Sequence, residues 1–263
     1  MKIKPSQIVK ALKKLGLYDC MEASFGADIV TLEETKEFLE RVPEKQSFLT
    51  TSCCPAYVDM VNKHLPEMQG NLSTTVSPMV ATAKIIKSKD PEAVVVFIGP
   101  CIAKKVEAKK FPNLIDYVIT FEEMAALFVG TEIDLLTIEE SHFSTTASKN
   151  GNAFAKAGGV VQAVIDTAAN LAPEREIKNH HTEGLYNCRL ALKGISSGKI
   201  DANFFEGMAC NRGCIGGPGI LTDVRISRKM IDNFAMSASC KTAPANQEAV
   251  EKTNEFHDWH HKQ

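Results

Sequence analysis

The chain has 263 residues, of which 44% are hydrophobic and 24% are charged, a composition typical of globular proteins. Its formal net charge of −2 provides no basic footprint for nucleic acid or for an anionic membrane surface, so neither is predicted as a partner. The longest strongly apolar run, residues 93–98, is far too short to span a membrane, and no secretory signal is visible. The eight cysteines are therefore predicted to be thiols or metal ligands of a cytoplasmic protein.

Hydrophobic periodicity and capping residues predict helices that alternate with short apolar strands. The predicted helices cover residues 6–15, 31–41, 57–65, 78–87, 120–128, 158–171, 185–195, 224–236 and 248–259. The predicted strands cover residues 47–51, 93–98, 114–119 and 200–205. This alternation favours an α/β fold with a mainly parallel sheet covered by helices. The weakly patterned residues 130–152 suggest a junction between an N-terminal lobe, residues 1–150, and a C-terminal lobe, residues 151–263.

Two Thr-x-x-Glu sequences are typical of helix N-termini, and they predict helix starts at Thr31 and Thr120. On the helix that follows Thr31, the side chains of Glu34, Glu37 and Arg41 share one face. From spacing alone, this face is interpreted as a solvated surface with a weak Glu37–Arg41 ion pair.

The end of the chain is polar and rich in histidine. His257, His260 and His261 have the chemistry to bind a metal, but a solvated terminus is the better prediction for such a tail.

Cysteines occur in three stretches that are punctuated by glycine or proline, residues 51–57, 99–107 and 206–219. Thiolates are soft ligands that select iron–sulfur clusters, zinc or Cu(I). A four-iron cluster takes four thiolates, and four are available in Cys54, Cys101, Cys210 and Cys214. A buried, inert role is expected for any single cysteine, and a structural zinc site has the same ligand count. Four cysteines in three such stretches favour a metal site over inert thiols, but the residues alone do not choose between zinc and an iron–sulfur cluster.

Taken in order, the three stretches resemble the three signatures of the iron-only ([FeFe]) hydrogenase active-site domain. They read Thr51-Ser52-Cys53-Cys54-Pro55, Pro100-Cys101-x-x-Lys104-Lys105-x-Glu107 and Glu206-x-Met208-Ala209-Cys210-x-x-Gly213-Cys214. The resemblance implies two lobes, each with a twisted four-stranded sheet flanked by helices, and a cofactor in the cleft between them. That cofactor is the H-cluster, a [4Fe-4S] cubane joined through one cysteine sulfur to a two-iron unit with CO, cyanide and a dithiolate bridge. The implied reaction is the reversible reduction of protons to H2.

The resemblance also implies a role for each matching cysteine. Cys54, Cys101 and Cys210 match the ligands of the cubane alone, whereas Cys214 matches the cysteine that bridges to the two-iron unit. Cys53 matches the thiol that passes protons to the bridging amine.

Other residues match the surroundings of that cofactor. Glu34, Ser73 and Glu37 match the path that carries protons from Cys53 to solvent, with Arg41 near its outer end; Cys53, Glu34, Ser73 and Glu37 are called the relay below. The residues that match the lining of the cofactor pocket are Lys104, which contacts an iron-bound cyanide, Met208, Ser77 and Pro78.

The sequence also departs from the family pattern, since Arg212 stands where glycine is usual. We expect a divergent or minimal hydrogenase that receives electrons from a ferredoxin-like carrier and its two-iron unit from maturation proteins. The alternatives are a hydrogen sensor and a non-catalytic [4Fe-4S] carrier resembling the hydrogenase-like assembly factors of eukaryotes. Retention of the whole relay favours catalysis. Cys20, Cys188 and Cys240 are predicted to be dispensable.

Overall fold

The computed structural model describes residues 3–256 and 258–261. The first six helices are α1 Pro5–Lys14, α2 Ala23–Arg41, α3 Pro55–His64, α4 Pro78–Lys89, α5 Ala103–Ala108 and α6 Phe121–Gly130. The remaining helices are α7 Lys149–Ala153, α8 Gly159–Leu171, α9 Leu185–Ser196, α10 Val224–Met236 and α11 Gln247–Glu255. The strands are β1 Leu49–Thr50, β2 Val96–Gly99, β3 Tyr117–Thr120, β4 Asn179–Glu183 and β5 Phe204–Met208. Within these described residues, no helix combines the length and the apolar character needed to cross a membrane.

The strands form two parallel sheets that are flanked by helices, which confirms the predicted α/β class. One sheet has the order β1-β5-β4, and the other pairs β2 with β3. The described residues thus form three strands in one sheet and two in the other, fewer than the four per lobe that the resemblance implies. The pairing of β1 with β5 joins a strand before residue 150 to one after it, and the lobe boundary near that residue stays a prediction.

The sheets direct the cysteine turns to common edges. β1 and β5 are adjacent parallel strands, with Leu49 opposite Phe204 and Thr50 opposite Phe205. The chain leaves β1 towards Cys53 and leaves β5 towards Cys210, so both turns begin at the same edge of the sheet. Such carboxyl-terminal edges are where open α/β sheets bind ligands.

Helix α2 begins eight residues earlier than predicted, so the helix start at Thr31 is wrong. The Thr31 hydroxyl instead donates to the Ala27 carbonyl oxygen at 2.7 Å inside the helix. The helix is buried along most of its length, between α4, α8 and α11. A helix covered on all sides has no polar stripe, and the amphipathic signal that marks a surface helix is therefore absent. At Thr120 the predicted capping box is confirmed, since Glu123 and Thr120 exchange hydrogen bonds of 2.7 and 3.2 Å.

The C-terminal tail packs onto the protein, so the predicted solvated terminus is wrong for Trp259 and in part for His260, whereas His261 is exposed. The Trp259 side chain is only 1% exposed and joins the apolar cluster that surrounds α2 and α4. The tail backbone is fixed as well, because Val76 N–H donates to the Trp259 carbonyl at 2.8 Å and His261 N–H donates to the Thr74 carbonyl at 2.7 Å. His257 lies outside the described residues.

A buried carboxylate, Asp28, ties α2 to the starts of α7 and α11. It accepts hydrogen bonds from Ser148 N–H at 2.7 Å and from the Asn246 amide at 2.8 Å, and the Ser148 hydroxyl also donates to it. We expect Asp28→Ala to lower the free energy of unfolding by about 3 kcal/mol, because it leaves several buried donors without a partner. Urea unfolding followed by circular dichroism measures this change.

The matched control is Asp201→Ala, which removes a carboxylate that is 79% exposed and pairs only with Lys178. A surface ion pair of this kind contributes little, and we expect a change within about 0.5 kcal/mol. Equal effects of the two substitutions would show that the Asp28 hydrogen bonds do not hold the three segments together.

Candidate metal centre

The structure brings four predicted metal ligands together. Burial, reinforced by the neighbouring thiols of Cys54 and Cys101, raises the pKa of Cys214 to about 12. Burial and the same two neighbours also raise the pKa of Cys210. These mutual effects require Cys54, Cys101, Cys210 and Cys214 to lie within electrostatic range of one another.

Both a structural zinc site and a four-iron cluster take four thiolates. Within the described part of the chain, no three His, Cys, Asp or Glu side chains are close enough to ligate a single metal ion. Ligands of one zinc ion all lie about 2.0–2.3 Å from it, whereas the four thiolates of a four-iron cluster each bind a different iron. The four thiols match the ligand number of a four-iron cluster.

Local backbone structure fixes the first and third of the three cysteine turns. Cys54 is the residue before α3, and backbone N–H groups of Ala209 and Tyr57 donate to its sulfur. Burial still raises the pKa of Cys54, but these donors favour the thiolate. Gly213 has φ +81°, and a Cβ there would lie 2.5 Å from the Ala157 backbone nitrogen, so the turn before Cys214 requires glycine.

Arg212, where the resemblance leads us to expect glycine, adopts φ +68°. This left-handed conformation is costly for a residue with a side chain, by roughly 1–2 kcal/mol. The turn is held nonetheless, since Arg212 N–H donates to the Glu183 carboxylate at 2.6 Å and the Arg212 carbonyl accepts from Ala157 N–H at 3.2 Å.

Lys104 is a buried cation that faces the thiols. Its ammonium donates to the Glu107 carboxylate at 2.6 Å and to the Cys53 carbonyl at 3.2 Å. Burial alone would lower the pKa of Lys104, but the charge and hydrogen bond of Glu107 raise it. A positive charge in this position suits an anionic group bound among the cysteines.

The relay residues are buried rather than solvated, so the interpretation of Glu34 and Glu37 as a solvated helix surface is wrong. Glu34 is 0% and Glu37 6% exposed. The Ser73 hydroxyl donates to Glu37 at 2.7 Å. Ser73 and the Ser52 backbone also approach Glu34, yet neither completes a hydrogen bond to its carboxyl oxygens.

Their surroundings shift the pKa values of the two relay carboxyl groups in opposite directions. Burial and the charge of Glu37 raise the pKa of Glu34 to about 8, so Glu34 is protonated at neutral pH. Burial opposes ionisation of Glu37 too, but hydrogen bonds from Ser73, Thr74 and Arg41 lower its pKa. Burial and the neighbouring Glu34 raise the pKa of Cys53 well above its usual range, which keeps the thiol protonated.

Of the remaining predicted pocket residues, Met208 and Ser77 are buried and Pro78 is half-buried. Met208 lies at the end of β5, and Pro78 begins α4 directly after Ser77. The Ser77 hydroxyl is buried without a hydrogen-bond partner, which is costly unless a bound group supplies one. This unpaired hydroxyl and the four thiols fit a cofactor larger than a single ion.

Glu206 lies in the third cysteine stretch, and its role was not apparent from the sequence. Its carboxylate accepts hydrogen bonds from the backbone N–H groups of Gly158 at 2.7 Å and Val161 at 2.8 Å, at the start of α8. Glu206 therefore joins β5 to α8, and burial raises its pKa to about 7. Its partners lie more than forty residues away, so no local pattern indicates them.

Residues 1–218 match the family model of the iron only hydrogenase large subunit, C-terminal domain. The chain belongs to this family. Iron hydrogenase 1 of Clostridium pasteurianum is 30% identical over 258 residues, which cover 81% of this chain and 45% of that protein. The NADP-reducing hydrogenase subunit HndD of Solidesulfovibrio fructosivorans is 29% identical over 264 residues, with the same coverage. The chain thus spans about half the length of these two relatives.

The chain is also similar to proteins named for iron–sulfur cluster assembly. The cytosolic Fe-S cluster assembly factor NAR1 of Kluyveromyces lactis is 32% identical over 112 residues, 42% of this chain and 24% of that protein. Among solved structures, an [FeFe]-hydrogenase from work on oxygen inactivation matches 100% of this chain and 88% of its own, with a TM-score of 0.83. HydA1 of Chlamydomonas reinhardtii matches with a TM-score of 0.81 over 97% of this chain and 84% of its own. At 21% identity, these two structures share the fold.

Glu34 gives stability a distinctive pH dependence. Its pKa of about 8 in the folded protein lies above the ordinary value of 4.5, so folding favours the protonated form. The stability that this provides is complete below pH 4.5 and is lost as the pH rises through 8. We expect Glu34→Gln to flatten the decline between these limits by up to about 1.4 kcal/mol per pH unit. Urea unfolding at a series of pH values measures the slope.

Glu206 adds to the same decline, and Glu34→Gln therefore reduces the slope without removing it. Glu122→Gln, at an exposed position of α6, is the control and should retain the wild-type slope. An unchanged slope in Glu34→Gln would mean that the carboxyl of Glu34 is ionised in the folded protein.

Proposed function

We propose that this chain is a hydrogenase that catalyses the reversible reduction of protons to H2 at an H-cluster. The observation that carries the proposal is the relay itself, a buried path of proton-carrying groups that lies beside four clustered thiols. A protein that only stores or transfers a cluster has no use for a buried proton path to it. Membership of the hydrogenase family supports the same function.

The cofactor would be held by the residues described above. We assign Cys54, Cys101 and Cys210 to the [4Fe-4S] cubane alone and Cys214 to the bridge towards the two-iron unit. Lys104, Met208, Ser77 and Pro78 are proposed to surround the two-iron unit with its CO, cyanide and dithiolate ligands. When bound, the H-cluster supplies the redox-active iron at which electrons and protons combine.

The chain's own contribution is to deliver and remove protons. General acid–base transfer requires groups within hydrogen-bond reach, or one water apart. Cys53 and Glu34 are both protonated at neutral pH, so each is able to donate, and the Ser73 hydroxyl both donates and accepts. The hydrogen bond from Ser73 to Glu37 then connects this buried pair to an ionised carboxylate nearer the surface. Burial of the relay excludes bulk water and so restricts proton movement to this path.

Electrons and the two-iron unit must come from other proteins. We propose a ferredoxin-like carrier as the electron donor and hydrogenase maturation proteins as the source of the two-iron unit. The cytoplasm is the proposed compartment, because all eight cysteines are free thiols, as is usual in reducing surroundings.

A non-catalytic [4Fe-4S] carrier is the second candidate, and the similarity to NAR1 favours it. Such a protein would need the four thiols but not Cys53, Glu34, Ser73 and Glu37. A hydrogen sensor is the third candidate, and it would need the complete cofactor but little turnover.

The deciding experiment is to load the purified protein with a [4Fe-4S] cluster and a synthetic two-iron complex. Infrared spectroscopy then tests for CO and cyanide bands, and an H2 assay with a reduced electron donor tests turnover. Bands together with sustained H2 production are expected. Iron loading without these bands would indicate a carrier, and bands without turnover would indicate a sensor; either result would overturn the proposed function.

A further inference from the structure

The outer end of the relay meets a histidine from the C-terminal tail. Glu37 accepts a hydrogen bond of 2.9 Å from the Thr74 hydroxyl. The same hydroxyl lies 2.9 Å from Nδ1 of His260, and Nε2 of His260 lies 3.4 Å from the carboxylate of Glu33. An unbroken series of hydrogen-bonding groups therefore runs from Glu37 to a histidine ring that is 38% exposed.

The hydrogen-bond partners determine which atoms carry protons. An ionised carboxylate is only an acceptor, so the single hydroxyl proton of Thr74 is directed at Glu37. Nδ1 of His260 must then donate to the Thr74 oxygen. Nε2 faces a second carboxylate, that of Glu33, and it too is a donor. A histidine that donates from both nitrogens is the cationic imidazolium.

We propose that His260 is the group through which the buried relay exchanges protons with solvent. The transfer begins when Nδ1 gives its proton to the Thr74 oxygen while the Thr74 hydroxyl gives its own proton to Glu37. After Glu37 has passed its proton inward, the Thr74 hydroxyl turns back towards Glu37, and the ring rotates so that solvent protonates the bare Nδ1 and restores the imidazolium. Each cycle moves one proton inward, and the reverse steps release one proton outward. This inference rests on the proposed function, since it extends the same relay.

The acidic groups near the ring favour the protonated form of His260. The hydrogen bond to Glu33 raises the pKa of His260, partial burial lowers it, and the charges of Glu37 and Glu40 raise it further. Other charged or titratable residues line the same surface groove as His260, namely Lys84, Lys87, Lys110, Asp258 and His261. The acidic residues of α2 outweigh these neighbours, so the balance favours the imidazolium. Histidine is the side chain that most readily changes charge near neutral pH.

The first test is an NMR titration of ring-labelled histidine in the cluster-loaded protein. We expect the pKa of His260 to lie above the ordinary value of about 6.5 and to fall by about one unit in Glu33→Gln. A pKa that is at or below 6.5 and unaffected by Glu33→Gln would overturn the inference, because the imidazolium would not be engaged.

The second test compares His260→Gln with His261→Gln in the loaded protein. The His261 ring lies against Phe111 at a tilt of 37°, with ring centroids 5.5 Å apart, so it is a matched control in the same tail. His260→Gln is expected to reduce H2 turnover about tenfold or more, to remove the corresponding limb of the pH–rate profile, and to regain activity in imidazole buffer. The KM for the electron donor should not change, and His261→Gln should behave as the wild type.

Loss of activity in His260→Gln without rescue and with a wild-type pH profile would indicate that His260 only fastens the tail, and would overturn the inference. Full activity in His260→Gln beside an active wild type would also overturn it and leave the proposed function intact. A loaded wild type without H2 turnover would overturn the proposed function and this inference with it.

Discussion

Replacing Cys53 with alanine is expected to reduce H2 turnover by at least about a hundredfold while leaving iron content and the CO and cyanide bands unchanged. The reason is geometric. Cys53 is buried within electrostatic range of both Glu34 of the relay and the predicted ligand Cys214. Its burial raises its pKa, which keeps the thiol protonated and able to donate a proton. Turnover, iron analysis and infrared spectra measure the three quantities.

Cys20→Ala is the matched control for this prediction. Cys20 is also buried, but it belongs to the separate apolar cluster around α1 and α6, so its loss should leave turnover near the wild-type value. Turnover that is unchanged in Cys53→Ala would remove the thiol from the relay. Loss of iron in Cys53→Ala would instead make Cys53 a ligand and contradict our choice of four.

Cys214→Ala is expected to eliminate the CO and cyanide bands, because the protein would lose the sulfur assigned to the bridge between the cubane and the two-iron unit. Cys214 is the most strongly shifted of the four thiols, with a pKa raised to about 12 by burial and by its neighbours. Deprotonating it therefore requires a metal centre to replace the lost hydration. Infrared spectra and iron analysis after loading with the synthetic complex measure the effect.

Cys188→Ala is the control, because it removes another buried thiol beside β5, the strand that precedes Cys210 and Cys214. The Cys188 sulfur donates to the carbonyls of Thr182 and Met208, at 3.3 and 3.5 Å, and neither contact involves a predicted ligand. This variant should lose about 1 kcal/mol of stability but retain both iron units. Bands that persist in Cys214→Ala, or that disappear in Cys188→Ala, would mean that the bridge is wrongly assigned.

Features specified by neighbouring residues were predictable from the sequence. The helix predicted over residues 224–236 is α10, Val224–Met236, because its polar and apolar faces alternate at the helical period. The capping box at Thr120 is confirmed because its two hydrogen bonds join residues only three apart. The cysteine turns were also visible, since glycine and proline mark them directly in the sequence.

Features that depend on distant partners were not predictable. β4 reads Asn179-His180-His181-Thr182-Glu183, with none of the apolar residues that indicate a strand, and it forms because β5 offers a free edge. The ring of His180 stacks on Phe205 of β5, with centroids 5.9 Å apart. The packing of Trp259 and the partner of Glu206 likewise involve residues far away in the chain.

The candidate site also has features that the sequence predicted and features that it did not. The resemblance identified relay residues one by one, but spacing along α2 alone pointed to a solvated face. Burial reversed that interpretation, because the loop that carries Ser73 and Thr74 covers Glu37. Thr74 and His260 had no sequence signal, since their roles depend on contacts between that loop and the tail.

The pairing of Thr50 with Phe205 has a consequence for biosynthesis. A ribosome that adds 5–20 residues per second makes these two positions roughly 8–30 s apart. During that interval Cys53 and Cys54 have left the ribosome, while Cys210 and Cys214 do not yet exist. If the four proposed cysteines hold one cluster, its assembly can be completed only after residue 214 has been synthesised, and the earliest thiols need a reducing environment until then.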